Sequence, residues 1–481
     1  MRVVTEIYRG LGMDPPDRLY VTGPPGPVLA SRFRVDEAAT ATVVAATLAV
    51  ARLWQLRQGA SEPPGAHVDA RHAALAFRSE RYLRVGGAAP PIWDPLSGDY
   101  RAVDGWVRLH ANYPAHRAAI GQALRVPDDR ERVTAAVAER AAVDVEDAVF
   151  ASGGAAAALR SPRDWADHPQ GSAVARLPLV ALHRVGDSPP LPLSPGDRPL
   201  ETVRVLDLTR VIAGPVAGRT LAAYGADVLR VGADHLALVP AAMMDTGFGK
   251  RFCHLDLRTA EGRDRLRALV AEADVLVQAY RPGALAALGF GPADCAALRP
   301  GLVYVSISAW GQAGPWRGRR GFDSLVQMAT GIAWDGPDSA PVPLPAQALD
   351  HGTGWLAAMA AVEGLRRRHT VGGSWHAELS LAATARWLVR LGRSPASASA
   401  SGAVAEPGYP DDLTSAMDSA FGVLTYVRPP GSLDGYRPGW ATPPHRPGAD
   451  PAEWPPWRPR RSSVDLGRVA GQTGQHGRHS S

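Results

Sequence analysis

The sequence predicts an α/β protein built on a parallel sheet, and three observations carry that reading. Val203 to Val231, VRVLDLTRVIAGPVAGRTLAAYGADVLRV, reads as strand, tight turn, helix and strand. A second unit of the same kind follows, with a helix over 259–273 and strands at 274–280 and 302–310. The composition, 46% hydrophobic and 21% charged over 481 residues, is that of a globular chain long enough for two or three cores. Strands alternating with helices at this spacing imply parallel pairing, with ligand sites at the strand C-termini.

VRVLDL alternates and carries β-branched residues, as a buried strand requires. Ala213-Gly214-Pro215 turns the chain, and Pro215 suits the first helical turn, where its missing N–H costs nothing. The helix stops at Gly225, a residue suited to the left-handed position just past a helix, and ADVLRV is the next strand. Upstream, PPDR and TGPPGP break any periodicity within residues 1–35. Residues 38–57 read as an apolar helix, and VDARHAALAF as a short strand leading into another helix. DYRAVDGWVRLHANYPAHRAAIGQAL reads as a strand pair entering a helix, and VEDAVFASGGAAAALR as a further helix. Residues 187–202 form a stiff Pro-rich linker. SPASASASGAVAEPGYP is a low-complexity bridge within 392–431, and the Pro, Arg, Gly and Ser content of 432–481 predicts disorder.

One block recurs. AATLAVARLWQLR (45–57) aligns with AAMAAVEGLRRRH (357–369), and DARHAALA (69–76) with ELSLAATA (378–385). In that alignment Ala38 stands where the later copy has Asp350, so residues 1–98 are expected to be a partial and chemically inert copy.

Charge and cysteine content narrow the function classes. The formal net charge of +5 arises mostly in 456–481, where five Arg face one Asp, so the body is near neutral and a nucleic-acid face is not expected. The apolar run at 38–51 is too short to cross a bilayer, and no membrane partner is expected. Cys253 and Cys295 cannot make a disulfide framework, and a cytoplasmic setting is the simplest one. No His or Cys spacing matches a metal motif, and no metal is expected. No GxGxxG or GxxxxGK[ST] follows a strand, which weakens dinucleotide and P-loop readings.

Five segments occur in order: LDLTRVIAGPVAG with LAAYGADVLRV, FGKRFCHLDLRTAEGRDRL, YRPGALAALGFG, VSISAWGQAGPWRGRRGFDSLVQMATG and ALDHGTGWLAAMAAVEGL. Together, over Val203 to about Leu391, they closely resemble the family III CoA-transferases, which include α-methylacyl-CoA racemase. The resemblance implies a Rossmann-like large domain at 203–391. It also implies a smaller α+β domain supplied by the N-terminal half at 99–186, in place of one missing after Leu391. The implied function is movement of CoA from an acyl-CoA to a carboxylic acid through an aspartyl anhydride and an enzyme–CoA thioester. Acyl-CoA, a free acid and a homodimeric copy are the implied partners, and coenzyme A, as acyl-CoA, the implied cofactor.

The resemblance makes Asp350, in LDHGTG, the nucleophile, although spacing alone favours an N-cap aspartate. The helix N-terminus is expected to help hold it ionised. Implied CoA contacts are Ile212 and Ala213 in the first turn, Lys250 for a phosphate, Tyr280 and Arg281 after DVLVQ, and Arg320 and Asp323 in RRGFDSL. Lys250 is the single lysine among 52 basic residues. Two family cations are missing, one in VGADHLAL and one at Ala287, and Arg251 or Arg281 is expected to compensate. Trp310, Trp316, Trp334 and Trp355 offer a bulky acyl lining or core packing. Phe322 replaces the histidine base of the racemase branch, which disfavours proton exchange. A non-catalytic CoA-binding scaffold is the other alternative.

Overall fold

A computed structural model describes residues 2–14, 18–24, 27–394 and 407–456. In the N-terminal half, α1 (Val35–Gln58) is followed by β1 (Ala66–Asp69) and α2 (Ala70–Ala76). Then come β2 (Gly98–Arg101), β3 (Trp106–Leu109), α3 (Pro114–Leu124), α4 (Ala142–Ala151) and β4 (Ala156–Ala158). The strands β2, β3 and β4 make an antiparallel sheet with its own apolar core around Val107, Ile120 and Val145. This is the small α+β unit expected of the N-terminal half.

The large sheet comprises β5 (Ala181–Gly186), β6 (Arg204–Leu208), β7 (Asp227–Gly232), β8 (Lys250–His254), β9 (Val275–Gln278), β10 (Val303–Ser308) and β11 (Ser374–Ser380). Its order is β8-β7-β6-β9-β10-β11-β5, parallel throughout except for β5, which runs antiparallel along β11. All six residues of β10 are buried, as a strand covered on both faces requires. The helices α5 (Ala213–Ala223), α6 (Ala260–Ala271), α7 (Asp323–Ala329), α8 (Ala348–Val371) and α9 (Leu381–Leu391) complete the unit. The α5 helix ends where expected, with Gly225 at φ 108°.

The repeat has a structural counterpart. The helices α1 and α8 are each 24 residues long, and each leads through a strand into a second helix. They pack against one another in the main core, which also takes up α5. Length and composition would let α1 cross a membrane, contrary to the shorter run read from sequence, yet most of it is buried inside the protein. Its apolar character on all sides follows from that burial.

Disorder from 432 onward is not what the described part of that segment shows. Ser432–Leu433 pairs with β1, Trp440 donates from Nε1 to the Arg219 carbonyl at 2.9 Å, and Trp454 donates to the Leu269 carbonyl at 3.0 Å. Two buried tryptophans anchor a Pro-rich strap that composition alone reads as unfoldable. Residues 395–406 of the low-complexity bridge and 457–481 of the tail lie outside the described residues.

Candidate functional site

Asp350 stands in the first turn of α8, whose N-cap is Gln347, so the N-cap reading of Asp350 is set aside. The backbone N–H groups of Leu349 and Asp350 both donate to Asp323 Oδ2, at 2.8 and 2.9 Å. Asp323 is fully buried at the head of α7, held also by Gln327 Nε2 at 2.5 Å. One carboxylate thus caps the helix that carries the other. The Asp350 side chain, 6% exposed as a residue, faces a cleft of ≈ 740 Å³. Burial, then the Asp323 charge, then Glu80 push the Asp350 carboxyl well above its ordinary value, and burial lifts Asp323 to about 6. The expectation that the helix terminus holds Asp350 readily ionised is therefore corrected: desolvation and two like charges outweigh it.

Strand ends make one wall of the cleft. Arg210 and Val211 follow β6, Tyr280 and Arg281 follow β9, and Ser308 and Ala309 close β10. Arg317, Arg319 and Arg320 come from the loop before α7. Burial lowers the Arg320 pKa, and the neighbouring Arg281 and Arg210 charges lower it further. Cations this close repel one another and are relieved by an anion. Val211 adopts φ 71°, unfavourable for a β-branched residue, and it does so in the turn that forms the cleft wall.

The opposite wall belongs to the N-terminal half. Tyr113, Pro114, Ala115 and His116, at the start of α3, line the same cleft as Asp350. Arg210 lies over the Tyr113 ring at 5.7 Å. Burial and then the Arg320 and Arg210 charges push His116 down to about 4, which leaves a neutral imidazole at neutral pH. His110 stacks on Phe322 with ring centroids 3.6 Å apart. The arginine loop is tied to the same half: Arg319 Nη1 meets Glu146 at 3.1 Å, and Gln170 bridges the Trp310 carbonyl and the Trp316 N–H.

Behind Asp350 sits a second pair. His351 turns away from the cleft and meets Glu80 at 3.1 Å, with Phe77 stacked on its ring. Burial works to raise the Glu80 carboxyl, but the His351 hydrogen bond and charge bring it below its ordinary value.

Of the residues expected at the site, Ala213, Tyr280, Arg281, Arg320 and Asp350 line the cleft. Ile212 and Asp323 border a small adjoining cavity that also touches Asp350, on the far side of Phe322. Lys250 is not there. Its Nζ is buried between Asp207 Oδ2 and the Pro215 carbonyl, both at 2.7 Å, so its place is in the core against α5 and not on a phosphate. Arg251 pairs with Asp227 and does not compensate for the missing cations. Trp310, Trp316 and Trp355 are buried in the core, and Trp334 does not line the cleft. Sequence reasoning missed Arg210, Arg317, Arg319, Tyr113, His116 and Glu80. Arg210 was the accessible one, since it follows a strand directly in LDLTR.

The strand ends of a largely parallel sheet and the loop before α7 thus bring clustered arginines and a buried carboxylate to one cleft. Residues 200–421 match the model of CoA-transferase family III. The chain is 30% identical to an acyl-CoA transferase of Gibberella moniliformis over 66% of its own length and 64% of that protein. It is 31% identical to a probable fatty acyl-CoA transferase, Rv3272, of Mycobacterium tuberculosis, over 38% of this chain and 50% of that one. The crystal structure of Rv3272 shares 29% identity over 40% of this chain and 58% of that one, with a TM-score of 0.38. The chain spans between 27% and 64% of the length of the curated relatives it matches. The stretch that matches the family model contains Asp350, Asp323 and the arginine cluster.

Proposed function

We propose that this protein is an enzyme that moves CoA from an acyl-CoA to a free carboxylic acid. One observation carries the reading: a buried, destabilised carboxylate, Asp350, shares a cleft with Arg210, Arg281 and Arg320. CoA brings phosphate charge for the arginines and a thioester for the carboxylate. An ionised carboxylate that burial and like charges have destabilised is a stronger nucleophile than one in water. Asp350 attacks the thioester carbonyl, forming a mixed anhydride and expelling CoA as thiolate. The thiolate attacks the Asp350 carbonyl of the anhydride, giving an enzyme–CoA thioester and releasing the first acid. The second acid then reverses both steps, so the thioester bond is never surrendered to water.

Tyr113 and His116 from the N-terminal half close the cleft over this chemistry within one chain. The two buried free cysteines fit a reducing, cytoplasmic setting, and a homodimer remains part of the proposal. Incubation of the whole protein with succinyl-CoA or acetyl-CoA alone, followed by peptide mass analysis, tests it. The expected result is an adduct of CoA less water on the peptide containing Asp350, absent in Asp350→Asn. An adduct on another carboxylate, or near-normal exchange by Asp350→Asn, overturns the assignment.

A further inference from the structure

No residue spacing marks a metal motif in this sequence, yet the fold assembles one away from the cleft. His183 on β5 and His376 on β11 are cross-strand partners, with ring centroids 4.9 Å apart. Glu378 follows His376 by two residues, on the same face of β11. One ligand atom from each of the three lies within 4.8 Å of the others. None of the three lines the cleft.

His376 is held as a metal-binding histidine is held. It is buried, and its Nε2 meets Ser306 Oγ at 2.8 Å. Ser306 accepts in turn from Gln278 Nε2 at 3.1 Å, and Gln278 Oε1 accepts from the Tyr280 N–H at 2.8 Å. A chain of this kind fixes ring orientation and leaves Nδ1 as the nitrogen free for a ligand. His183 is exposed and Glu378 half-buried, so both can turn toward an ion while His376 stays in place. A tetrahedral site needs ligand atoms roughly 3.3 Å apart, which side-chain rotation of those two supplies.

We propose that His183, His376 and Glu378 bind one divalent transition-metal ion of the zinc class, with water completing the coordination. Two imidazoles and one carboxylate are borderline ligands that suit Zn²⁺ or Co²⁺ and disfavour the hard ions Mg²⁺ and Ca²⁺. The site's place in the chain gives the ion a role. β5 is the edge strand that enters the large sheet from the N-terminal half, paired there with β11, and the Pro-rich linker begins directly after it. An ion bridging β5 and β11 clips the small unit's exit strand to the sheet that carries Tyr280. This inference stands apart from the transferase reading.

The test uses the full-length protein, stripped of metal with chelator and dialysed. Titration with Zn²⁺ by calorimetry, and with Co²⁺ by visible absorption, is expected to show one equivalent bound, with a tetrahedral Co²⁺ band. Bound Zn²⁺ is expected to raise the melting temperature. His183→Ala and Glu378→Gln, at residues that reach solvent, are expected to fold and to bind at least tenfold more weakly. Ser306→Ala is expected to weaken binding about tenfold through loss of the orienting hydrogen bond. Absence of saturable binding at 100 μM metal (roughly the weakest affinity that could serve as a clip), or binding that both surface variants retain in full, overturns the proposal.

Discussion

Replacing Lys250 by Met separates a core lysine from a ligand-binding one. Lys250 and Asp207 form a buried ion pair with side chains 1% and 0% exposed. Burial pushes the ammonium down to about 8 even though Asp207 pulls it up, so the site charges heavily for its cation. Asp207 keeps a bond from the Thr209 N–H at 3.1 Å and another from the Thr209 hydroxyl, but nothing in Lys250→Met neutralises its charge. Breaking one side of such a pair costs about 3–5 kcal/mol, and the two Thr209 bonds place this case near the lower figure. Asp207→Asn/Lys250→Met removes both charges and is expected to recover most of that loss. Packing is tight: a Cβ on Gly218 would lie 2.7 Å from Asp207 Oδ2 and 2.9 Å from Lys250 Nζ, so the pair sits directly under α5. Urea midpoints for the wild type, both single variants and the double variant close the cycle, and calorimetry gives CoA affinity for each folded protein. Affinity is expected to stay within about threefold, on the principle that a group making no ligand contact leaves binding largely untouched. Unchanged stability with a tenfold loss of CoA binding in Lys250→Met would refute this reasoning and return Lys250 to the phosphate.

Three further outcomes are expected. Asp350→Asn should abolish turnover while raising the urea midpoint at pH 8, because the raised Asp350 pKa means the folded state pays to ionise it. The stability this carboxyl supports is fully present below its unfolded pKa and is lost as pH rises through the higher folded one, so the gain should shrink toward pH 4. Glu80→Gln keeps a hydrogen-bonding partner for His351 but removes a charge that raises Asp350, so the acid limb of the kcat–pH profile should move to lower pH; a purely structural role would lower stability and leave the limb in place. A chiral 2-methylacyl-CoA incubated in D₂O should keep its α-hydrogen, since Phe322, stacked on His110, offers no base there; rapid deuterium incorporation would favour a racemase.

What could be read from sequence was what local pattern encodes. Alternation in VRVLDL, the Gly225 stop and the spacing of 274–280 and 302–310 placed the sheet, because strand and helix periodicity is written into neighbouring residues. Asp350, Tyr280, Arg281 and Arg320 were legible through motif order, and all four meet at the cleft. The misses share a physical reason. Lys250 lies at a strand start whose side chain runs under α5, and whether it meets Asp207 or a phosphate depends on packing more than 40 residues away in sequence. Tyr113, His116 and Glu80 belong to the half of the chain that carries no motif, and only docking brings them to Asp350. The strap at 432–456 is misread for the opposite reason: its composition resembles disorder, but two tryptophans find hydrogen-bonding pockets on the large unit.

The N-terminal half has Ala38 at the position aligned with Asp350, yet it supplies much of the surroundings of Asp350. Its α1 packs along α8, the helix that presents Asp350, so the frame of the proposed nucleophile is set by burial against the N-terminal half. Its Glu80 adds negative charge behind the carboxyl, and its Tyr113 and His116 stand before it. Its Glu146 and Gln170 hold the loop that carries Arg319 and Arg320. The proposed reaction needs water kept out and the ligand's charge met; the arginines come from 203–391, while side chains from 1–186 line the cleft and tie down the arginine loop. In the proposed reaction the two halves divide the work: Asp350 on α8 is the reacting group, and Glu80, Tyr113, His116, Glu146 and Gln170, from the half with Ala38 at the aligned position, build the surroundings.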